Sequence, residues 1–151
     1  MKAKQIKGTV SFVGKFELTV LSDWRIILPA HVVRQLTIYN IKKILPGRIP
    51  GLKALVLCPD ILWSLWISKL KKNFPCLETH RGARTFLIPW QPIHWDSKGR
   101  ISLPRKAREL TGIKLDQTAV ILGNECCFEL WSEENFNEIT QECEALLRGS
   151  S

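Results

Sequence analysis

Apolar and polar positions along this chain fall into short runs rather than one sustained period. Runs that are rich in β-branched residues, or that alternate apolar with polar, predict strands at residues 9–13, 16–21, 25–28 and 54–58, and a second set at 100–103, 119–123 and 127–131. Residues 86–93 have the same character, but Pro89 and Pro92 cannot donate to a ladder and confine that strand to a sheet edge. Pro29 and Pro104 each end a strand and open a short helix at its first position, where a missing N–H does no harm. Those helices are expected at 30–36 and 105–111, and Gly112 is a natural stop for the second. Helical spacing returns at 60–71 and at 133–147. In the later helix Ser132 suits the N-cap, Glu133 and Glu134 sit where the helix dipole favours acids, and Phe136, Ile139, Cys143 and Leu146 recur on one face. In the earlier one Ile61, Leu62, Trp63, Leu65, Trp66 and Leu70 are too many for a narrow stripe. Trp63 and Trp66 are read as core or helix contacts, with a subunit interface as the alternative, and 71–85 as the connector.

The two sets of elements are versions of one another. Moving back 75 positions pairs Ser97 with Ser22, Arg100 with Arg25, Ile101 with Ile26, Leu103 with Leu28 and Pro104 with Pro29. That is five identities in eight positions, where chance gives about half of one at average residue frequencies. The chain reads as two copies of one unit, residues 1–75 and 76–151. Either copy alone is short for an independent core, whereas 151 residues that are 45% hydrophobic suffice for two packed together.

Charge adds a direction to this picture. The formal net charge is +8, but residues 1–75 hold 13 lysines and arginines against Glu17, Asp23 and Asp60, while 76–151 hold nine against eleven acids. Within that second half Lys98, Arg100, Arg105, Lys106 and Arg108 form a basic island, and the carboxylates gather from Glu125 to Glu144. Such segregation makes one positive face, the usual footprint of a nucleic-acid binder. In Asp96-Ser97-Lys98-Gly99-Arg100 the Asp, Ser and Gly are turn formers, and an arginine there can grip a phosphate or a guanine edge through two N–H groups. The competing reading is a solvated turn whose charges serve solubility.

That turn, the strand ending at Pro104, the basic helix closed by Glu109-Leu110-Thr111-Gly112, the apolar strand 119–123 and Phe128-Glu129-Leu130-Trp131-Ser132 before a helix together resemble the second half of the MraZ family of bacterial DNA-binding regulators. They place the chain near the AbrB-type swapped-hairpin barrels. The resemblance is specific over 94–142; over 8–72 it rests on Arg25, Ile26, Leu28, Pro29 and the strand-to-helix passage 54–70. It implies a mainly β, α+β fold of two pseudo-symmetric β-barrel units with helices outside. It also implies ring homo-oligomers, and double-stranded DNA repeats upstream of a cell-division gene cluster as the partner. Carried over position by position, Arg100 and Arg25 face DNA, with Lys98 beside Arg100 and Ser97 and His94 next. For Arg105, Lys106 and Arg108 two roles stay open, backbone-phosphate contacts or salt bridges on the side of the barrel.

The first copy departs from this pattern at Leu21-Ser22-Asp23-Trp24-Arg25, where Asp23 stands in place of the lysine and Trp24 in place of the glycine. A tryptophan takes positive φ with difficulty, so a differently built turn is expected. The indole has three candidate roles: stacking on Arg25, wedging into a groove, or packing on a neighbouring subunit. Arg34 lies five residues after Pro29 but Arg108 four after Pro104, which reads as a one-residue insertion. A longer middle loop in the first copy carries Lys42, Lys43, Arg48 and Lys53 as non-specific phosphate contacts.

Other classes have little support. No G-x-S-x-G, H-E-x-x-H, P-loop or dinucleotide fingerprint is present, so no enzyme, small-molecule substrate or cofactor is expected. Cys58, Cys76, Cys126, Cys127 and Cys143 have no metal-ligand spacing, and adjacent Cys126 and Cys127 are expected to point to opposite faces, one core and one exposed. The absence of a signal-like start and of any apolar run near 20 residues points to a cytoplasmic, nucleoid-associated protein rather than a membrane one. An AbrB-like antitoxin or interaction module, or a ring subunit that binds DNA only through its second half, are the alternatives to a sequence-specific regulator.

Overall fold

The computed structural model describes residues 12–149. Of the strand expected at 9–13, residues 9–11 lie outside them, and Phe12 makes an isolated bridge to Glu125. The chain then runs β1 (Lys15–Thr19), β2 (Arg25–Ile27), α1 (Ala30–Ile38), β3 (Ile44–Arg48) and β4 (Ala54–Pro59). A 3-10 turn (Asp60–Leu62) leads into α2 (Trp63–Asn73), and two more such turns lead to the one-turn α3 (Arg84–Leu87). The second half continues with β5 (Arg100–Ser102), α4 (Arg105–Thr111), β6 (Thr118–Asn124), β7 (Cys127–Ser132) and α5 (Glu133–Gly149).

Five strands form one antiparallel sheet in the order β1-β6-β7-β4-β3, and β2 pairs with β5 in a separate ribbon. The fold is thus mainly β with flanking helices. Its strands are divided between an open sheet and a ribbon, and no pairing among the described residues closes them into a barrel. The central strands β4 and β7 are buried at every position because both sheet faces are covered. Leu55, Leu130 and Ile121 lie in register on one face and join Ile26 and Ile101 of the ribbon, Val32 and Leu36 of α1, and Ala107 of α4 in the main core. One residue along, Ala54, Trp131 and Val120 face the other way and pack under Phe136 and Ile139 of α5. That helix starts as its sequence requires, with Ser132 Oγ accepting from Asn135 N at 3.1 Å.

Two elements differ from expectation, and they are neighbours. Ile44-Leu45-Pro46-Gly47-Arg48, read as loop, is the edge strand β3, and residues 86–93, read as an edge strand, are not a strand. Pro46 and Gly47 hide a strand from propensity, yet Gly47 is needed there: a Cβ would come within 2.9 Å of Trp63 Cη2. The segment after α3 runs along β3 with only scattered bonds, Trp90 N to Pro46 O at 3.0 Å and the reciprocal Ile44–Ile93 pair at 3.0 and 2.7 Å. Pro89 and Pro92 supply no N–H, so a regular ladder cannot form. Trp63 and Trp66 are core-packed as expected, with ring centroids 5.0 Å apart and Trp66 only 4% exposed.

Candidate nucleic-acid interface

The positions matched by the 75-residue echo meet in space. Arg25, Ile26 and Ile27 pair with Ser102, Ile101 and Arg100, so an approximate two-fold axis passes between Ile26 and Ile101. The symmetry extends beyond the ladder, since Leu28 N donates to Gly99 O at 2.8 Å and Leu103 N to Trp24 O at 2.9 Å. Two apolar residues fix this ribbon: Ile26 and Ile101 are 0% and 1% exposed and anchor one face in the core.

Each arginine enters its strand from a tight turn, and the two turns close identically. Trp24 N donates to Leu21 O at 3.0 Å and Gly99 N to Asp96 O at 2.9 Å; Leu21 N then donates to Arg25 O at 2.9 Å and Asp96 N to Arg100 O at 3.1 Å. Gly99 has φ +78° and Trp24 has φ +62°. The expectation of a differently built first turn is therefore corrected: the tryptophan adopts the left-handed conformation that glycine takes easily. Within the chain its indole covers Arg108, whose guanidinium carbon lies 4.5 Å from the ring centroid. The mirrored contact explains the pairing, because a Cβ on Gly99 would lie 3.1 Å from Val33 Cγ2. Val33 and Arg108 both donate their N–H to the proline four residues back at 3.1 Å, so Val33, not Arg34, is the counterpart of Arg108 and α1 carries no insertion before it.

A carboxylate holds each arginine, from different places in the two turns. Asp96 opens the second turn; its Oδ1 accepts from Lys98 N and Arg100 N, both at 2.9 Å, and its Oδ2 from Arg100 Nε at 2.6 Å. These bonds, first the one from the Arg100 backbone, bring the Asp96 carboxyl down to about 2. In the first turn the equivalent position is Leu21, and Asp23 does the work instead, taking Arg25 N at 3.2 Å and Arg25 Nε at 2.5 Å and pairing with Nη2 as well. The side-chain bond to Arg25 lowers the Asp23 carboxyl in the same direction. So Asp23 does not merely reverse a charge; it replaces the clamp that Leu21 cannot provide. A guanidinium fixed through Nε is pre-oriented and still offers its outer N–H groups, more of them at Arg100 than at Arg25.

Both arginines open into one groove of about 960 Å³. Arg25, Arg100, Ser102 and Lys106 line it from the ribbon and α4, and the 89–95 segment, with Trp90, His94 and Trp95, forms its other wall. Ser97 and Lys98 are exposed on the second turn. The structure therefore brings Arg25, Arg100 and Lys106 to one cavity with Ser97 and Lys98 beside Arg100. It separates the other two cations from them: Arg105 points outward in a pair with Glu109 at 3.2 Å, and Arg108, under Trp24, donates Nε to Leu103 O at 3.1 Å. The aromatic wall was not read from sequence, where its prolines only marked an interrupted strand.

Two further features bear on chemistry. Cys126 and Cys127 are both buried, at 3% and 0% exposure, which corrects the expected split. Cys126 lies in the β6–β7 turn rather than in the strand, beside Trp66 and Leu70 of α2 around a cavity of about 250 Å³, so strand alternation does not apply to it. Among the described residues no group of histidines, cysteines and carboxylates is placed to hold a metal, and no helix is long and apolar enough to cross a membrane.

Comparison with known proteins points the same way as the turn. Residues 87–148 match the family described as "MraZ protein, putative antitoxin-like". The Transcriptional regulator MraZ of Bacteroides fragilis is 25% identical over 138 residues, 90% of this chain and 86% of that protein. Its namesake from Shewanella oneidensis is 27% identical over 139 residues, 91% of this chain and 90% of that one. The Treponema denticola protein of the same name reaches 39% over 61 residues, 40% of this chain and 41% of its own. The chain is thus similar to the MraZ family across its second half and to these regulators along most of its length.

Proposed function

We propose that this protein is a transcription regulator that binds double-stranded DNA in a sequence-specific way, acting as a ring of identical subunits on repeats upstream of its own gene cluster. The regulator role follows the name its relatives carry. The observation that supports DNA contact is the pair of aspartate-held arginines, related by a local two-fold axis and facing one groove with Lys106. Arg100 reads bases, with Lys98 and Ser97 beside it, because its outer N–H pair suits the O6 and N7 of guanine. Arg25, gripped through both Nε and Nη2, contributes less discrimination and more orientation. Lys106 contacts phosphate, Arg105 adds to the field, and Arg108 acts through Trp24 to fix the first turn. One chain offers a small footprint, so tight binding needs several subunits on repeated elements.

Fluorescence anisotropy with the duplex upstream of its own gene, against a shuffled duplex, tests this. Wild type prefers the native duplex, Arg100→Ala loses that preference with a cost of about 1–3 kcal/mol, and Arg25→Ala loses less. Equal, salt-labile binding to both duplexes, indifferent to Arg100, overturns the reading in favour of an interaction module.

A further inference from the structure

Beyond the paired arginines, a second hollow of about 490 Å³ lies against the first groove, and Trp90 and Lys106 line both. Its far side is Arg48, the last residue of β3, with Thr85 beside it. Arg48 was read as a non-specific phosphate contact on a longer middle loop; the structure places it at the end of β3 and holds it there. Its guanidinium carbon lies 4.4 Å from the Phe86 ring centroid, and Nη2 donates to Thr85 Oγ1 at 3.1 Å. Its Nε is buried without an acceptor. Among the described residues no ion pair to a carboxylate is seen for Arg48 or Lys106, whereas Arg25 and Arg100 each have one. Among the described residues the one acid lining the hollow, Glu109, is engaged by Arg105. A guanidinium held over an aromatic ring, half-buried and with its buried Nε lacking an acceptor, is a position that an anion would complete.

We propose that Arg48 and Lys106 form a phosphate subsite, so that a nucleic-acid backbone leaving the arginine turns passes Trp90 and is gripped again at the end of β3. This rests on the DNA reading and extends it: the turns supply sequence and the β3 subsite supplies register. The ligand is one phosphodiester of the same duplex that Arg100 reads. Thr85 and Phe86 pre-set the fork, which makes Arg48 a fixed clamp rather than a long side chain searching for charge.

The test is the salt dependence of anisotropy-measured affinity, with native and shuffled duplexes, for wild type, Arg48→Met, Arg48→Lys, Lys106→Met and Arg100→Ala. Each lost phosphate contact lowers the slope of log affinity against log salt by about 0.9. Between 50 and 200 mM salt, Arg48→Met and Lys106→Met should each lose about 3.5-fold less affinity than wild type does. Both duplexes should weaken in the same proportion, and Arg48→Lys should keep the wild-type slope. Lys106 is exposed on α4, so its variant carries the test if Arg48→Met folds poorly. An unchanged slope in Lys106→Met and Arg48→Met overturns the subsite, as does loss of duplex preference in either. Failure of the DNA reading looks different, since there wild type itself shows no preference for Arg100→Ala to remove.

Discussion

Trp24 shows how one side chain can compensate for a conformation it should avoid. A non-glycine residue at φ +62° costs on the order of 1–3 kcal/mol, and the contact with Arg108 returns about 0.5–2 kcal/mol. Truncation should therefore run against the usual ranking. Trp24→Ala keeps the strained backbone and loses the contact, so urea unfolding should show a loss of about 1–3 kcal/mol; Trp24→Gly relieves the backbone and should be the more stable of the two by about 1 kcal/mol. An alanine variant as stable as the glycine one would mean the turn relaxes. Asp96 makes a second prediction. Its folded pKa of about 2 lies below the ordinary 3.8, so its contribution is complete above pH 4 and is lost as pH falls toward 2. Asp96→Asn should flatten the decline of urea midpoints over that window and leave the shape above pH 5 unchanged.

At the scale of elements, β3 and the segment beside it decide the outline of the groove. Gly47 is the point of greatest crowding in β3, because its missing Cβ makes room for Trp63 of α2. Gly47→Ala should cost about 1–3 kcal/mol in urea unfolding, and Trp63→Leu in the same chain should recover part of it. Were Gly47→Ala neutral, α2 would have freedom to shift, and the position of Arg48 one residue on would not be fixed by it. The helices α1, α2, α4 and α5, the strands β1, β2 and β4 to β7 and the second turn follow from proline, glycine and apolar spacing that act locally. By contrast, α3 lies in a segment read as connector and edge strand, and the first turn puts a tryptophan where a glycine is expected. What failed locally was a strand with a proline and a glycine, and a proline-rich segment that looked like one; in both, a neighbouring element chose the conformation.

For the whole molecule, the halves are interlocked rather than side by side. Among the described strands of the first half, β1 pairs with β6, β2 with β5 and β4 with β7, and only β3 pairs wholly within its half. We expect residues 1–75 and 76–151, taken as the two repeats, to lack a cooperative urea transition when expressed apart and to recover one when co-expressed. Two independent transitions from separate halves would sink that expectation. Sequence by itself carried the resemblance to the MraZ family, the 75-residue echo and the helix starts after Pro29, Pro104 and Ser132, because each is written in residues close together in the chain. Tertiary structure alone decided that Asp23 replaces the clamp of Asp96, that Trp24 rests on Arg108, and that Lys106 faces the groove while Arg105 does not. It also placed Arg48 against Phe86. Those choices depend on which residues distant in sequence come within a few ångströms, and burial and charge pairing act only once the fold has brought them there.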